Sequence, residues 1–350
     1  MNLAASRKVS ILLTGLLLFV LAPVSQAKSN ILHQYDVLDL SHMVPVFEPL
    51  NGDVRKSDLS KPVANSQPVA GSGDSLGVRI AKPPMKVMHG TVQWGFLYLD
   101  EHYSTHVDST NHFITTDKSV QALSNPDQRD VGQYSVNELI GAIVYIDISD
   151  RVRKELGKNG GKPSVDRRIT NFDDDMRISV MASDIDAIAN QLVDGAYLVI
   201  NTGWEQFYIG LPPPGGGNWA HPYNNNFNYP GLSREATQRL VEIEEQRGIR
   251  IGGIVADNIS VESGHSVRGA MGTEQINVSN LVMYMHAVGL GRGWKIVENA
   301  ANLSVLKNYQ AGTCDLVIGA PKIIGASGTP VRLMAICEKN TALLSKKMLQ

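Results

Sequence analysis

Residues 101–113 read Glu101-His102-Tyr103-Ser104-Thr105-His106-Val107-Asp108-Ser109-Thr110-Asn111-His112-Phe113, and the rest of the chain is organised around them. Three of the nine histidines fall within eleven positions here, with Asp108 between the second and the third. His102, His106 and Asp108 offer two imidazoles and a carboxylate, a donor set suited to Zn²⁺, Mn²⁺ or Fe²⁺ rather than to the all-oxygen shell of Ca²⁺. The spacing constrains the backbone. An α-helix would align His102 with His106 but turn Asp108 to another face. A straight strand would put all three on one face, yet at ~3.3 Å per residue the outer two would stand roughly 20 Å apart. One ion cannot span that distance, so the segment is expected to turn near Ser104-Thr105 and wrap around a cation. The plain alternative is a histidine-rich surface loop.

A second segment far along the chain has complementary chemistry. Ile276, Leu281, Val282 and Met285 have helical spacing and predict a helix over 273–288, with His286 in its last turn. Gly289-Leu290-Gly291-Arg292-Gly293 then breaks the pattern, and Glu298 follows within Trp294-Lys295-Ile296-Val297-Glu298-Asn299. One continuous helix would hold His286 and Glu298 ~18 Å apart. The alternating glycines let the chain double back, so imidazole and carboxylate can converge. Taken alone, His286 reads as a helix-end histidine favoured by the helix dipole.

Residues 102–112 resemble the signature His-x-Gly-Thr-His-x-Asp-x-Pro-x-His of the cyclase family, which includes bacterial kynurenine formamidase and isatin hydrolase. Ser104 stands at the glycine position and Thr110 at the proline position. Both departures concern backbone shape. The similarity continues in Asp39-Leu40-Ser41-His42, in Thr202-Gly203-Trp204 and in Tyr229-Pro230-Gly231-Leu232-Ser233. It resumes in Asp257-Asn258-Ile259-Ser260-Val261-Glu262-Ser263-Gly264, which has the form Asp-x-x-Ser-x-acid-x-Gly, and in Val297-Glu298-Asn299-Ala300-Ala301-Asn302-Leu303. The resemblance runs, with gaps, from about Val37 to Ile336.

It implies a divalent metal, Zn²⁺ or Mn²⁺ as one or two ions, held by His102, His106, Asp108, His286 and Glu298, with a helix such as 299–306 behind the site. It also implies hydrolysis of an amide attached to an aromatic ring. An arylformamide of the N-formylkynurenine type is one such substrate; an isatin-type cyclic amide or a lactone are alternatives on the same site. His112 is spaced away from the ligand trio and has a side chain suited to proton transfer near neutral pH, so it is assigned general base and then general acid. A fourth ligand or a supporting contact is its other reading. The rival of a different class is a non-catalytic periplasmic protein that captures metal or an aromatic ligand.

Strand-like runs at 141–149, 196–201 and 249–256 alternate with helical patterns near 183–193, 233–247 and 275–288. Ser183 is expected to cap the first helix, and Ser233 and Gly248 to bound the second. This predicts an α/β fold with a mixed, barrel-like central sheet flanked by helices. The resemblance points to the swivelling β/β/α arrangement in a single domain and to a homodimer or higher homo-oligomer. Residues 88–99 read as a strand or two that bring Trp94, Phe96 and Tyr98 up to the metal motif. Trp94, Phe96, Trp204, Asp257 and Ser260 are the candidates for an aryl-binding pocket. Each aromatic would serve equally in a core, and Asp257 could simply hydrogen-bond its turn. His42 is expected to be structural.

The first residues look like an export signal: Arg7 and Lys8, an apolar run from Ile11 to Leu21, then Ser25-Gln26-Ala27. The run is too short for a bilayer, which needs ~20 residues. A leader over 1–27 and one domain over 28–350 are therefore expected, in a periplasmic or secreted protein. The whole chain carries 32 basic and 34 acidic residues, and the leader holds two of the basic ones, so the remainder is mildly acidic. No basic block supports a nucleic-acid or membrane-surface partner. Cys314 and Cys337 flank a strand, a Gly-Ala-Ser-Gly-Thr-Pro turn and a second strand. A disulfide across that pair and two buried thiols are both open readings. Residues 51–85 read as a polar excursion. Residues 211–228, with Trp219, His221 and Phe227, read as a lid or as a surface insertion.

Overall fold

The computed structural model describes residues 34–42, 101–113, 128–158, 178–208, 223, 229–264 and 283–339, with the backbone of four short strands between 79 and 98. In chain order the strands are β1 (Tyr35–Asp39), β2 (Arg79–Ala81), β3 (Met85–Val87), β4 (Gly90–Val92), β5 (Phe96–Tyr98), β6 (His106–Asp108) and β7 (Ile140–Asp147). Helices α1 (Ser149–Gly157) and α2 (Ala182–Ile188), strand β8 (Tyr197–Asn201), helix α3 (Arg234–Arg247) and strand β9 (Gly253–Ala256) follow. The described chain closes with α4 (Tyr284–Gly291), β10 (Lys295–Glu298), β11 (Cys314–Gly319), β12 (Gly328–Pro330) and β13 (Arg332–Glu338).

Nine strands form one mixed sheet in the order β1-β13-β11-β7-β8-β9-β10-β6-β12. Its centre, β7-β8-β9-β10, is parallel, and the flanks are antiparallel. The sheet curls into a half-barrel, the mixed, barrel-like architecture expected from the sequence. Strands β8 and β9 are buried at every residue, which is why they read as unbroken apolar runs rather than as alternating ones.

Side-chain alternation splits the core in two. Val144, Ile146, Leu198, Ile200, Ile254 and Ile296 face the helices. Ile143, Tyr197, Val199, Val255, Val297 and Val107 face the other side, against Leu316, Leu333 and the 3₁₀ turn at Leu303–Asn308. The parity that buries Val107 and Val297 on that side sends His106, Asp108 and Glu298 to the helix side.

Helix α3 begins and ends where its sequence says. The Ser233 hydroxyl accepts from the Ala236 amide at 3.1 Å, and Gly248 closes the helix at φ 63°. Elsewhere the boundaries differ. Met181, not Ser183, precedes α2; the Asp184 carboxylate accepts from the Met181 amide at 2.8 Å and is held by Arg151. Asp186, three residues past Ser183, pairs with Arg239 on α3.

Helix α4 differs more. Of the expected helix, 273–282 lie outside the described residues; α4 starts after Met283, which is left-handed at φ 56°, and continues through Gly289 and Leu290 to Gly291. His286 therefore lies in its first turn, not its last. Gly289 stays helical because the buried Trp294 packs on it: a Cβ there would lie 2.9 Å from the indole Cε3. The expected helix at 299–306 is displaced to a 3₁₀ turn at Leu303–Asn308, because Asn299 and Asn302 are both left-handed. Strand β9 starts four residues later than expected, at Gly253, and β11 stops at Gly319.

Cys314 and Cys337 stand directly opposite each other in the β11–β13 pair and form a disulfide. Residues 1–33, hence the expected leader, lie outside the described residues, as do most of 51–85 and all of 211–228 except Tyr223. Among the described residues no helix is long and apolar enough to cross a membrane.

Candidate metal centre

Strand β6 lies between β10 and β12, with His106 opposite Glu298 and Pro330, and Asp108 opposite Ile296 and Gly328. That register places His106, Asp108 and Glu298 on one face within a few ångströms. Before β6 the chain reverses at Ser104, which adopts φ 57°. The turn resolves the spacing problem of a straight strand: His102 folds back until its Nδ1 lies 2.8 Å from Asp108 Oδ1. His286 reaches the same point from the first turn of α4.

The polar tips converge closely. His106 Nε2 is 3.3 Å from Asp108 Oδ1 and 3.5 Å from Glu298 Oε2. His286 Nε2 is 3.2 Å from Glu298 Oε1 and 3.6 Å from Asp108 Oδ2. Ligands ~2.0–2.1 Å from a tetrahedral ion stand about 3.3 Å from one another, so these separations suit one coordination shell. Asp108 and Glu298 each touch both imidazoles, which also allows two adjacent ions to share them. Asp108 Oδ2 is buried and has no hydrogen-bond partner among the described residues. A buried carboxylate oxygen without a donor is costly unless a cation or proton compensates it. The donor set and this orphaned oxygen together fit a divalent metal.

Each ring is held on its outer side. His106 Nδ1 donates to the Ser104 carbonyl at 2.9 Å, which leaves Nε2 facing the cluster. His286 Nδ1 donates to Glu262 Oε1 at 3.0 Å, and the same oxygen accepts from the His286 amide at 2.6 Å. Its Nε2 likewise faces inward. His102 is turned the other way: Nδ1 faces Asp108, and Nε2 lies 3.0 Å from Ser327 Oγ.

The electrostatics favour positive charge at the centre. Burial alone would lower the His106 pKa, but the Asp108 hydrogen bond and charge, with Glu298, raise it to about 9. His286 is moved the same way: burial opposes, while Asp108, Glu262 and Glu298 prevail. Burial pushes Glu298 up, reinforced by the Asp108 charge. Burial also acts to raise Asp108, but the surrounding histidines hold it well below the usual carboxylate range.

His112 stands at the edge of this group. Its ring is 3.9 Å from that of His102, tilted by 32°, and 6.2 Å from that of His286. Burial lowers its pKa to about 4, so it is neutral at pH 7 and can accept a proton. One of its ring nitrogens also lies within 4.8 Å of ligand atoms of Asp108 and His286, close enough to act on whatever occupies the centre.

The expected pocket residues divide. Trp204 is 1 % exposed and belongs to the helix-side core, its Nε1 donating to the Tyr223 carbonyl at 2.8 Å. Asp257 is fully buried; it accepts from the Thr202 amide and hydroxyl and from the Trp204 amide at 2.6–3.0 Å. Both serve the turn after β8. Ser260 is buried, its hydroxyl without a partner among the described residues, three residues past Asp257 on the turn that ends in Glu262–Gly264. Trp94 and the side chain of Phe96 lie outside the described residues, as do Trp219, His221 and Phe227. So does Gly73-Asp74-Ser75-Leu76-Gly77, a run with the spacing of a serine-nucleophile elbow.

No site role for Glu262, Ser327, Glu101 or Asn299 is legible in the sequence. Glu262 appeared only as the acid of a turn pattern, and Asn299 only as a neighbour of Glu298. Ser327 sat in what reads as an ordinary hairpin turn, and no local signal links that turn to a site more than two hundred residues away.

Residues 38–263 match the family described as "Putative cyclase". No curated protein matches the chain in sequence. Among solved structures, an isatin hydrolase bound to the product analogue thioisatinate is similar: 18 % identity over 88 % of this chain and 95 % of that one, TM-score 0.52. Isatin hydrolase A from Labrenzia aggregata, bound to benzyl benzoate, has 17 % identity over 87 % and 94 %, TM-score 0.53. A structure described as a novel cyclase has 17 % identity over 86 % of each chain, TM-score 0.52. At these identities the likeness is one of fold.

Proposed function

Because the chain belongs to the cyclase family, we propose that it is a metal-dependent hydrolase of an amide attached to an aromatic ring. The observation that carries this reading is the meeting of His102, His106, Asp108, His286 and Glu298 around one point, with the neutral His112 beside it. A divalent cation bound there, Zn²⁺ or Mn²⁺, lowers the pKa of water and polarises a substrate carbonyl. The chain's own part is to fix the five side chains and supply a proton acceptor. His112 takes a proton from the attacking water and returns it to the departing nitrogen. A ring held neutral by burial can do the first; the proton it gains makes it the acid for the second. The Ser104 carbonyl and Glu262 keep the other imidazoles from turning.

Arylformamides of the N-formylkynurenine type are the substrate class we put first. Isatin-type cyclic amides come second and lactones third, since all three present a carbonyl to the same site. We also propose that the protein is exported to the periplasm or beyond, on the strength of residues 1–27, and that it works as a homodimer or larger homo-oligomer.

The test is a purified protein assayed for metal content and for turnover of aryl formamides, isatins and lactones. His112→Ala should keep the metal and lose turnover by roughly 10²–10⁴-fold, the usual contribution of general acid–base catalysis. Parent-level turnover in that variant would remove His112 from the chemistry. Metal capture without turnover of any panel member by the parent protein would favour the binding-protein alternative.

A further inference from the structure

The hairpin between β11 and β13 does more than close the sheet. Its segment Ser327-Gly328 lies against His102. Glu101 Oε2 accepts from the Ser327 amide at 2.8 Å and from the Ser327 hydroxyl at 2.7 Å. A carboxylate of this kind only accepts, so the hydroxyl proton is committed to Glu101. Ser327 Oγ is left as an acceptor for His102 Nε2–H, 3.0 Å away. The remaining nitrogen, Nδ1, is the one that points at Asp108 Oδ1. Beneath the ring, Gly328 makes the close approach possible. A Cβ there would lie 2.5 Å from His102 Cε1 and 2.9 Å from Nδ1, inside any tolerable contact. Gly328 is also the residue paired with Asp108 across β6 and β12, so the hairpin sets the height of ligand and ring together.

We propose that Glu101 and Ser327 are positioning residues that fix the His102 tautomer, so that this histidine binds the metal through Nδ1 while His106 and His286 bind through Nε2. The proposal rests on the metal-site reading above. Asp108, His102 and Ser327 also have the spacings of a serine-nucleophile triad, at 2.8 and 3.0 Å. In such a triad the hydroxyl proton would go to the imidazole. Here Glu101 takes it, so Ser327 is an acceptor for His102 rather than a nucleophile.

The experiment measures the affinity of Zn²⁺ alone by chelator competition, without substrate, in the parent and in Ser327→Ala, Glu101→Ala and Glu101→Gln. Loss of an outer partner of a ligating histidine weakens metal binding by about 10–100-fold. Ser327→Ala and Glu101→Ala should each fall in that range. The double variant should be no worse than either single, because both act through one ring. Glu101→Gln, which keeps an acceptor oxygen, should stay near the parent. Melting of the metal-free variants should match the metal-free parent, and ¹⁵N shifts in the Zn²⁺-loaded parent should show His102 protonated at Nε2. Parent-like affinity in Ser327→Ala, additive losses in the double variant, or a fluorophosphonate label mapped to Ser327 would overturn the proposal. A parent protein that binds no stoichiometric Zn²⁺ would instead overturn the metal-site reading on which it rests.

Discussion

Ser104 adopts φ 57°, in the region that side chains with a Cβ enter at a cost of about 1–2 kcal/mol. The strain is offset locally: its hydroxyl accepts from the Tyr208 phenol at 3.2 Å, and its carbonyl accepts from both His106 Nδ1 and Asn299 Nδ2. A glycine position in the family pattern is thus filled by a residue small enough to take the same turn. Ser104→Val, β-branched and without the hydroxyl, should destabilise by about 1–3 kcal/mol and also weaken metal retention. An unchanged denaturation midpoint would mean that the turn is not under strain. His42 offers a second test. Its ring stacks on Tyr208 at 3.8 Å, and burial lowers its pKa to about 4. An unfolded histidine takes up a proton below about 6.5. The folded one resists until about 4, so its contribution to stability is present above pH 6.5 and is lost as pH falls toward 4. His42→Phe keeps the stack and removes the titration. The drop in urea midpoint between pH 7 and pH 5 should be smaller in that variant, and an equal drop would contradict the assignment.

At the scale of elements, the Cys314–Cys337 bond closes a loop of sequence separation 23. A loop of that size contributes about 3 kcal/mol in the chain-entropy account. Replacing both cysteines with alanine should lower the unfolding free energy by that order, with no loss of metal affinity if the hairpin still pairs. A drop in affinity as large as that of Ser327→Ala would show instead that the disulfide holds the Ser327 tip in place. This hairpin also shows what a sequence makes legible. Two strands, a Gly- and Pro-marked turn and two cysteines were readable from local composition. The register that makes the sulfurs direct partners was not, because one residue of slip is invisible locally. The same holds for helix limits. Ser233 and Gly248 cap α3 because neighbouring residues decide it. The start of α2 turns on Asp184 pairing with Arg151, and the course of α4 through Gly289 turns on Trp294. Both are tertiary contacts. His286 is legible as a site candidate through the resemblance of the stretch around Glu298 to the cyclase family, whereas alone it reads as a helix-end histidine; its place in the first turn of α4 is not legible. Trp204 and Asp257 drew attention as polar or aromatic residues at strand ends, and the structure uses both to build the turn between β8 and α3.

Across the whole molecule, the sheet does the work of assembly. Parallel strands β8, β9 and β10 end on the same edge, and the antiparallel β6 brings the histidine motif to that edge beside Glu298. The helix layer supplies His286 from above, and the β11–β13 hairpin supports His102 from the side. Residues 102–108, 286–298 and 327, far apart in sequence, thus share one polar cluster on the helix side of the sheet. The metal centre is tested by an anomalous-scattering map from crystals grown with Zn²⁺, recorded on both sides of the zinc absorption edge. A peak is expected about 2.0–2.2 Å from His102 Nδ1, His106 Nε2 and Asp108, with His286 Nε2 and Glu298 on the same ion or on a second one bridged by Asp108. A zinc peak elsewhere, or none within reach of these five side chains, would contradict this assignment of the centre.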